Sequence, residues 1–241
     1  MSKTLVVVVP DADVLAATVA SRLVAKIVDA QADRGTASVV LTGGRIAKKV
    51  LETVKDLPAA AAIDWSHVDL WWGDERFLPP GDGERNETQA RAALLDSLPL
   101  DPAKVHAMPA DDGQGVEAAA AAYAAELGDP VPVFDVLMLG VGEDGHVASL
   151  FPDHPVLNET STTTAAVHNS PKPPPNRVTL TMPTIQTADE VWLIAAGADK
   201  TTSVGAALNG DKAKPAAHAT GVGRTYWLLD RAAAADVAAR P

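Results

Sequence analysis

Residues 134–155 read FDVLMLGVGEDGHVASLFPDHP, and this stretch decides how the rest of the chain is interpreted. Its apolar start predicts a buried strand over Phe134–Leu139, because a short aliphatic run before a glycine turn is typical of a parallel-sheet core. Gly140, Gly142 and Gly145 then match G-x-G-x-x-G, the pattern of dinucleotide-binding proteins. That pattern requires a helix after the glycines and an acidic residue ending a strand about 20 residues further on.

The surroundings of these glycines do not meet those requirements. Pro152 and Pro155 limit any helix after them to about one turn. About 20 residues on, the segment ETSTTTAAV contains no acid that ends a strand. The pattern also falls past the middle of the chain rather than in its first strand–helix turn. We therefore interpret the glycines as a flexible strand-end turn that presents His146.

The segments before this stretch alternate short apolar strands with amphipathic helices. The predicted strands are Leu5–Val9, Ser38–Leu41 and Val68–Trp72. The first predicted helix starts near Asp13, the second contains Val50, Leu51 and Val54, the third begins at Asn86 and the fourth covers Val116–Leu127. The first helix has Leu15, Val19, Leu23 and Ile27 on one face, at a spacing of four residues. This order predicts a Rossmann-like α/β fold, a mainly parallel sheet with helices on both faces. Asn86 is predicted as an N-cap, with Gln89 at the capping-box position.

The last third of the chain has strands with fewer helices between them. The strands predicted there are Thr163–His168, Arg177–Met182, Val191–Ala196 and Tyr226–Leu229, the last of them before a C-terminal helix. The intervening SPKPPPNR predicts a stiff, extended connector. We expect a single domain over residues 1–241, with a small mixed β-containing lobe beside the main sheet.

The composition argues against several function classes. With 241 residues, 47% of them hydrophobic, the chain is long enough for one large α/β domain. Its net charge of −11 disfavours nucleic acid and anionic membrane as partners, and an anionic ligand needs a local basic pocket. The absence of cysteine excludes disulfides, thiolate catalysis and thiolate metal sites. The short apolar N-terminal run and the lack of a membrane-length segment predict a cytoplasmic protein.

Polar residues follow four of the predicted strands. They are TGGR at 42–45, GDER at 73–76, GVGEDGH at 140–146 and GADK at 197–200. Ligands of open parallel sheets bind at the carboxyl ends of strands, so these four segments predict one site. Gly43 and Gly44 allow backbone N–H groups to approach a phosphate at a helix start, or they form an ordinary tight turn.

Three cations are candidate anion ligands. Lys200 lies near a helix start, where a cation is unfavourable unless an anion binds there; the alternative is a solvated surface lysine. Arg76 and Arg177 offer forked donors suited to a phosphate or an oxyanion, and the alternative for each is a solvated arginine.

His146 is either a catalytic base or a hydrogen-bonded structural residue. It follows Gly145 in a flexible turn, and Asp144 is close enough in sequence to orient its ring. Histidine side chains have an unperturbed pKa of about 6.5, which suits proton transfer at neutral pH. The six histidines show no metal-binding spacing, and no G-x-S-x-G elbow is present, so neither a metal site nor a serine hydrolase is indicated.

Taken together, these segments resemble the 6-phosphogluconolactonase family. The resemblance is carried, in order and over most of the chain, by LTGG, WWGDERFLPPGDGERNETQARAALL, FDVLMLGVGEDGHVASLFP and SPKPPPNRVTLTMPTIQTADEVWLIAAGADK. It implies an isomerase-like fold (NagB/RpiA/CoA transferase-like) and hydrolysis of 6-phosphoglucono-δ-lactone to 6-phosphogluconate. That reaction is the second step of the oxidative pentose phosphate pathway, and it uses no cofactor and no metal.

The resemblance also implies roles for individual residues. The catalytic histidine is His146, paired with Asp144, and the substrate contacts come from Gly43, Gly44, Asp74, Arg76, Arg177 and Lys200. The expected partner is a phosphorylated sugar lactone, and the chain is expected to be a monomer or a weak homo-oligomer. Arg45-Ile46-Ala47 departs from the family, which usually has a small hydroxyl residue and then Thr-Pro. Asp153 replaces a glycine that often follows LFP.

Two other functions are compatible with parts of this pattern. Glucosamine-6-phosphate deaminases have a similar G-x-G-x-D-G-H turn but continue toward FNE, whose glutamate assists ring opening. Phe151, five residues after His146, cannot transfer protons, which favours a lactonase. Non-catalytic sugar-phosphate sensors have related folds, but they usually carry a basic DNA-binding module, and this acidic chain shows none.

Overall fold

The computed structural model describes residues 3–237, and within that range the backbone forms two β-sheets. The strands are β1 (Lys3–Val9), β2 (Ala37–Leu41), β3 (Val68–Trp72), β4 (Asp74–Arg76), β5 (Val136–Gly140), β6 (Thr164–Val167), β7 (Arg177–Leu180), β8 (Glu190–Ala195) and β9 (Arg224–Asp230). Six strands form the main sheet in the order β1-β9-β8-β5-β2-β3, and every neighbouring pair is parallel. The other three form a small antiparallel sheet in the order β4-β7-β6.

Helices connect the strands of the main sheet. They are α1 (Ala12–Arg34), α2 (Arg45–Asp56), α3 (Asn86–Ala93), α4 (Val116–Leu127), α5 (Met182–Ile185) and α6 (Thr201–Leu208). Helix α1 begins after Asp11, whose carboxylate accepts two backbone N–H groups of the first turn, and it ends at Gly35 in the left-handed region. Its buried face contains the four predicted apolar residues, so the period of 3.6 residues was interpreted correctly. Within residues 3–237, no helix is both long and apolar enough to span a membrane.

The structure confirms the predicted fold class. The mainly parallel sheet with its helices forms an α/β fold, and the small antiparallel sheet is the extra β-containing lobe. The strands are almost fully buried in the middle of the main sheet, as their continuous apolar sequences predict. The segment Asp74–Arg76, predicted only as a strand end, forms a strand of its own that pairs with β7.

Two predictions in the last third of the chain are wrong, one for the end of a strand and one for a helix. The strand predicted over Arg177–Met182 stops at Leu180, and the chain turns into α5 with Pro183 in its first turn. Proline lacks the N–H that a sheet requires but fits the first turn of a helix. The C-terminal helix predicted after Leu229 is also wrong where it can be seen, because residues 231–236 form turns. Residues 238–241 lie outside the described residues.

The order of the strands brings the candidate residues together. β5 lies between β2 and β8, so the turns that follow these three parallel strands meet at one edge of the sheet. Those turns contain TGGR, GVGEDGH and GADK. The backbone N–H of Gly140 donates to the Thr42 hydroxyl (3.3 Å), which joins two of the turns directly. Sequence order alone does not specify this arrangement of strands.

Candidate active site

A cavity of about 570 Å³ opens at the carboxyl ends of the central strands. Seven of the eight residues predicted for the site line it: Gly43, Gly44, Asp74, Arg76, His146, Arg177 and Lys200. The eighth, Asp144, lies behind His146 and contacts its ring. The structure therefore brings all eight predicted residues to one place. Arg45, Asn86, Asp199 and Asp230 line the cavity too, although the sequence analysis assigned no substrate contact to them.

Asp144 holds the His146 ring. Its Oδ1 lies 2.6 Å from Nδ1 of the ring and also accepts the backbone N–H of His146 (3.1 Å). Burial alone would raise the pKa of Asp144, but the hydrogen bonds and charge of His146 outweigh it and hold this pKa far below its usual range. An ionised carboxylate only accepts hydrogen bonds, so Nδ1 carries a proton and the neutral ring has its lone pair on Nε2.

The glycines of this turn make room for the histidine. A Cβ on Gly142 would lie 2.0 Å from Nδ1 of His146, so no other residue fits without moving the ring. The N–H of Gly142 donates to the carbonyl of His146 (2.9 Å), which closes the turn. Gly145 has a φ of +89°, a conformation that favours glycine. Gly142 and Gly145 are therefore explained by the position of His146 and by the backbone conformation of its turn, rather than by a dinucleotide site.

Phe151 packs directly against the histidine. It is fully buried, and its ring centroid lies 4.5 Å from that of His146. The guanidinium of Arg177 lies over the Phe151 ring, 5.7 Å from its centroid. The side chain packed against His146 at this point is therefore an apolar ring that cannot transfer a proton.

Arg177 is largely engaged by its own loop. Its Nε and Nη2 donate to the carbonyls of Lys172, Pro173 and Pro174, at 2.8 to 3.2 Å. Its Nη1 is the atom nearest to Asp74, 4.0 Å from Oδ2. Burial lowers the pKa of Arg177, partly offset by Asp74. The proline-rich segment was predicted as a stiff connector, and the structure shows in addition that its carbonyl groups hold the Arg177 side chain at the cavity.

Asp74 is buried and lines the cavity. The Ser149 hydroxyl donates to its Oδ2 at 2.6 Å, and the Asn86 amide donates to its backbone carbonyl at 2.9 Å. Ser149 comes three residues after His146, so this hydrogen bond connects β4 to the histidine turn. Next to Asp74, the Arg76 guanidinium donates to the carbonyl of Glu84 and lines the cavity.

The N-cap prediction for Asn86 is wrong. Arg85 is the cap residue of α3, and no side chain of α3 or its cap supplies a capping hydrogen bond. The Glu75 carboxylate does so from β4, accepting the N–H groups of Asn86 (2.6 Å) and Glu87 (2.8 Å). Burial raises the pKa of Glu75 to about 7, against the pull of these donors and of Arg85. A carboxylate eleven residues earlier in the chain thus takes the role expected for a local side chain.

The Asn86 side chain instead shapes the glycine turn after β2. A Cβ on Gly43 would lie 1.9 Å from Asn86 Oδ1, so only glycine allows this approach. Gly44, with a φ of +99°, is the N-cap residue directly before α2, and within residues 3–237 no side chain caps this helix start. Asn86 Oδ1 is itself buried with no hydrogen-bond partner among the described residues. Sequence reasoning missed this role because the only local signal at Asn86 is that of an N-cap.

Comparisons with known proteins identify relatives along most of the chain. The family model described as glucosamine-6-phosphate isomerases/6-phosphogluconolactonase matches residues 10–227. The chain is 59% identical to a 6-phosphogluconolactonase of Streptomyces coelicolor, with 94% of this chain and 92% of that protein covered. It is 46% identical to a 6-phosphogluconolactonase of Mycobacterium tuberculosis, over 95% and 96% of the two chains. The solved structure of 6-phosphogluconolactonase from Trypanosoma brucei is similar with a TM-score of 0.84, 26% identity and coverage of 99% and 100%.

Proposed function

The chain belongs to the glucosamine-6-phosphate isomerase/6-phosphogluconolactonase family, and we propose that it hydrolyses 6-phospho-D-glucono-1,5-lactone to 6-phospho-D-gluconate. This is the reaction expected from the sequence resemblance, the second step of the oxidative pentose phosphate pathway. The observation that carries the proposal is the Asp144–His146 pair at the wall of the cavity, with Phe151 packed against the ring. A single histidine base, oriented by the ionised Asp144 and packed against an apolar ring, suits hydrolysis of an ester that is already reactive.

His146 acts as the general base in this proposal. Water attacks C1 of the lactone while its proton moves to Nε2, the nitrogen that Asp144 leaves with a lone pair. The tetrahedral intermediate then collapses, the bond between C1 and the ring oxygen breaks, and Nε2 returns the proton to that oxygen. Asp144 stays ionised and stabilises the imidazolium that forms between the two steps. Proton transfer of this kind typically contributes ~10²–10⁴-fold to the rate.

The remaining predicted residues bind the substrate. The Gly43–Gly44 turn and Lys200 lie at the end of the cavity where α2 begins, which suits a phosphoryl group because helix starts attract anions. Arg76 and Asp74 line the wall nearer the small sheet, where the lactone hydroxyls and the carbonyl oxygen would lie. Arg177 has only Nη1 directed toward Asp74 and the cavity, so we assign it one substrate contact at most.

Phe151 argues against deamination of glucosamine 6-phosphate. Ring opening of an amino sugar requires a second proton-transfer group, and the residue in contact with His146 at this position is a buried phenyl ring. The cytoplasmic location, the monomeric or weakly oligomeric state, and the absence of nucleic acid, metal and cofactor remain predictions from the sequence.

A coupled assay tests the proposal. Glucose-6-phosphate dehydrogenase generates the lactone, and its disappearance is followed with and without the purified protein. We expect hydrolysis well above the spontaneous rate, and loss of that acceleration in His146→Ala with the circular dichroism spectrum unchanged. Release of ammonia from glucosamine 6-phosphate would favour a deaminase, and sugar-phosphate binding without turnover would favour a sensor.

A further inference from the structure

A carboxylate bridges two cations inside the candidate site. Oδ2 of Asp199 lies 3.4 Å from Nζ of Lys200 and 3.4 Å from Nη2 of Arg45. Lys200 and Asp199 belong to the turn after β8, whereas Arg45 is the first residue of α2. All three residues line the cavity. The carboxylate therefore spans the end of the cavity to which the phosphoryl group is assigned.

The turn after β8 is built to hold this carboxylate in place. Gly197 has a φ of +100°, and a Cβ on it would lie 2.5 Å from Oδ1 of Asp199. Asp230, at the end of β9, fixes the turn from behind by accepting the Gly197 N–H with both oxygens (3.1 and 3.0 Å). Glycine at this position thus lets the Asp199 carboxylate fold back toward the two cations.

The contacts are weak enough to be exchanged. The Arg45 side chain is 89% exposed and that of Asp199 is 36% exposed, and ion pairs between exposed groups contribute little stability. A phosphoryl group carries nearly two negative charges and three acceptor oxygens at neutral pH, against one charge on a carboxylate. It therefore competes for the same two cations with an advantage that a singly charged group does not have.

We propose that Asp199 is an internal counter-ion that occupies the place of the substrate phosphoryl group between Arg45 and Lys200 in the free protein. Binding requires the ligand to displace this carboxylate, so Asp199 weakens the binding of anions at this end of the cavity and does not affect ligands that do not reach it. It also gives a role to Arg45, the residue that departs from the family pattern. The inference rests on the proposed function, which places a phosphoryl group at this end of the cavity.

The test measures binding of inorganic phosphate by calorimetry, independently of turnover. Asp199→Asn removes the charge with little change of shape, and we expect it to lower the dissociation constant for phosphate by roughly three- to tenfold. Glu52→Gln is the matched control, because it removes the same charge from an exposed ion pair with Lys48, which does not line the cavity. Unchanged or weaker binding in Asp199→Asn, or an equal gain in Glu52→Gln, would overturn the proposal.

Arg45→Ser completes a double-mutant cycle. In the natural chain, Arg45→Ser removes the ion pair with Asp199 from the free protein and the contact with phosphate from the bound protein, so the two losses partly cancel. In the Asp199→Asn background the free protein has no such ion pair, and only the contact with phosphate is lost. We therefore expect Arg45→Ser to weaken phosphate binding more in the Asp199→Asn background than in the natural chain. Equal effects in the two backgrounds would show that Arg45 and Asp199 do not act together.

The two lactones separate this inference from the proposed function. Asp199→Asn should lower KM for the phosphorylated lactone, and it should change kcat/KM for unphosphorylated glucono-1,5-lactone by a smaller factor. A protein that hydrolyses neither lactone would refute the proposed function, and the phosphate titration would still decide the role of Asp199. Normal lactone hydrolysis without tighter phosphate binding in Asp199→Asn would refute the internal counter-ion alone.

Discussion

Replacing Asp144 by asparagine isolates the charge next to His146, the proposed general base. Oδ1 of Asp144 is held by the backbone N–H of His146 as well as by Nδ1 of the ring. In the variant that backbone donor keeps the amide oxygen in the same place, so Nδ1 stays protonated and Nε2 keeps its lone pair. The change therefore removes a negative charge next to the imidazolium without reversing the tautomer.

The size of the effect follows from the geometry. Two unit charges centred about 4 Å apart at an effective dielectric constant of about 20 interact by about 4 kcal/mol. The Asp144 side chain is 35% exposed, so solvent screening reduces this to about 2 kcal/mol. We expect kcat for the lactone to fall about 30-fold, since about 1.4 kcal/mol corresponds to a factor of ten.

The assay is initial-rate hydrolysis of freshly generated lactone, corrected for the spontaneous reaction. Asp153→Asn is the control, because it makes the same change at an exposed position with a φ of +58°, which asparagine tolerates well. A fall of less than threefold in Asp144→Asn would refute the electrostatic role. A fall of more than a thousandfold would show that the tautomer had reversed and that the backbone N–H does not anchor the amide.

Three further expectations concern the same region. Gly142→Ala should displace the His146 ring and lower kcat/KM by at least tenfold, because its Cβ would lie 2.0 Å from Nδ1. Gly83→Ala is the control and should have normal activity, because a Cβ at this position would have no neighbouring atom within 4 Å. The Glu75 pKa, raised to about 7 from 4.5, means that the folded protein retains a proton that the unfolded chain loses. The free energy of unfolding of the natural chain, relative to that of Glu75→Gln, should therefore fall by about 3 kcal/mol as the pH rises from 4.5 to 7. Urea unfolding of the two proteins measures this difference, and a difference that does not change with pH would contradict the prediction. Ser149→Ala removes a buried hydroxyl that donates to a carboxylate of β4, and it should lower the free energy of unfolding by about 1.5–3 kcal/mol; a loss below 0.5 kcal/mol would contradict the role of that hydrogen bond.

The sequence by itself determined the periodic elements and the polar strand ends. Continuous apolar runs predict buried strands, and an apolar residue every fourth position predicts α1, because these patterns reflect burial of one segment at a time. The same local reasoning rejected a dinucleotide site at Gly140–Gly145 and selected His146 as a candidate base. Its role as a base, like the other predicted site roles, remains a proposal.

The tertiary structure decided which side chains act on one another across the chain. Glu75 caps α3 from another element, Asn86 turns toward Gly43, and Asp199 meets Arg45 from a turn more than 150 residues away. Such contacts depend on how the strands of both sheets are arranged, which no spacing between neighbouring residues encodes. The orientation of a ring or a carboxylate within the site follows from these long-range contacts, and only the folded chain supplies them.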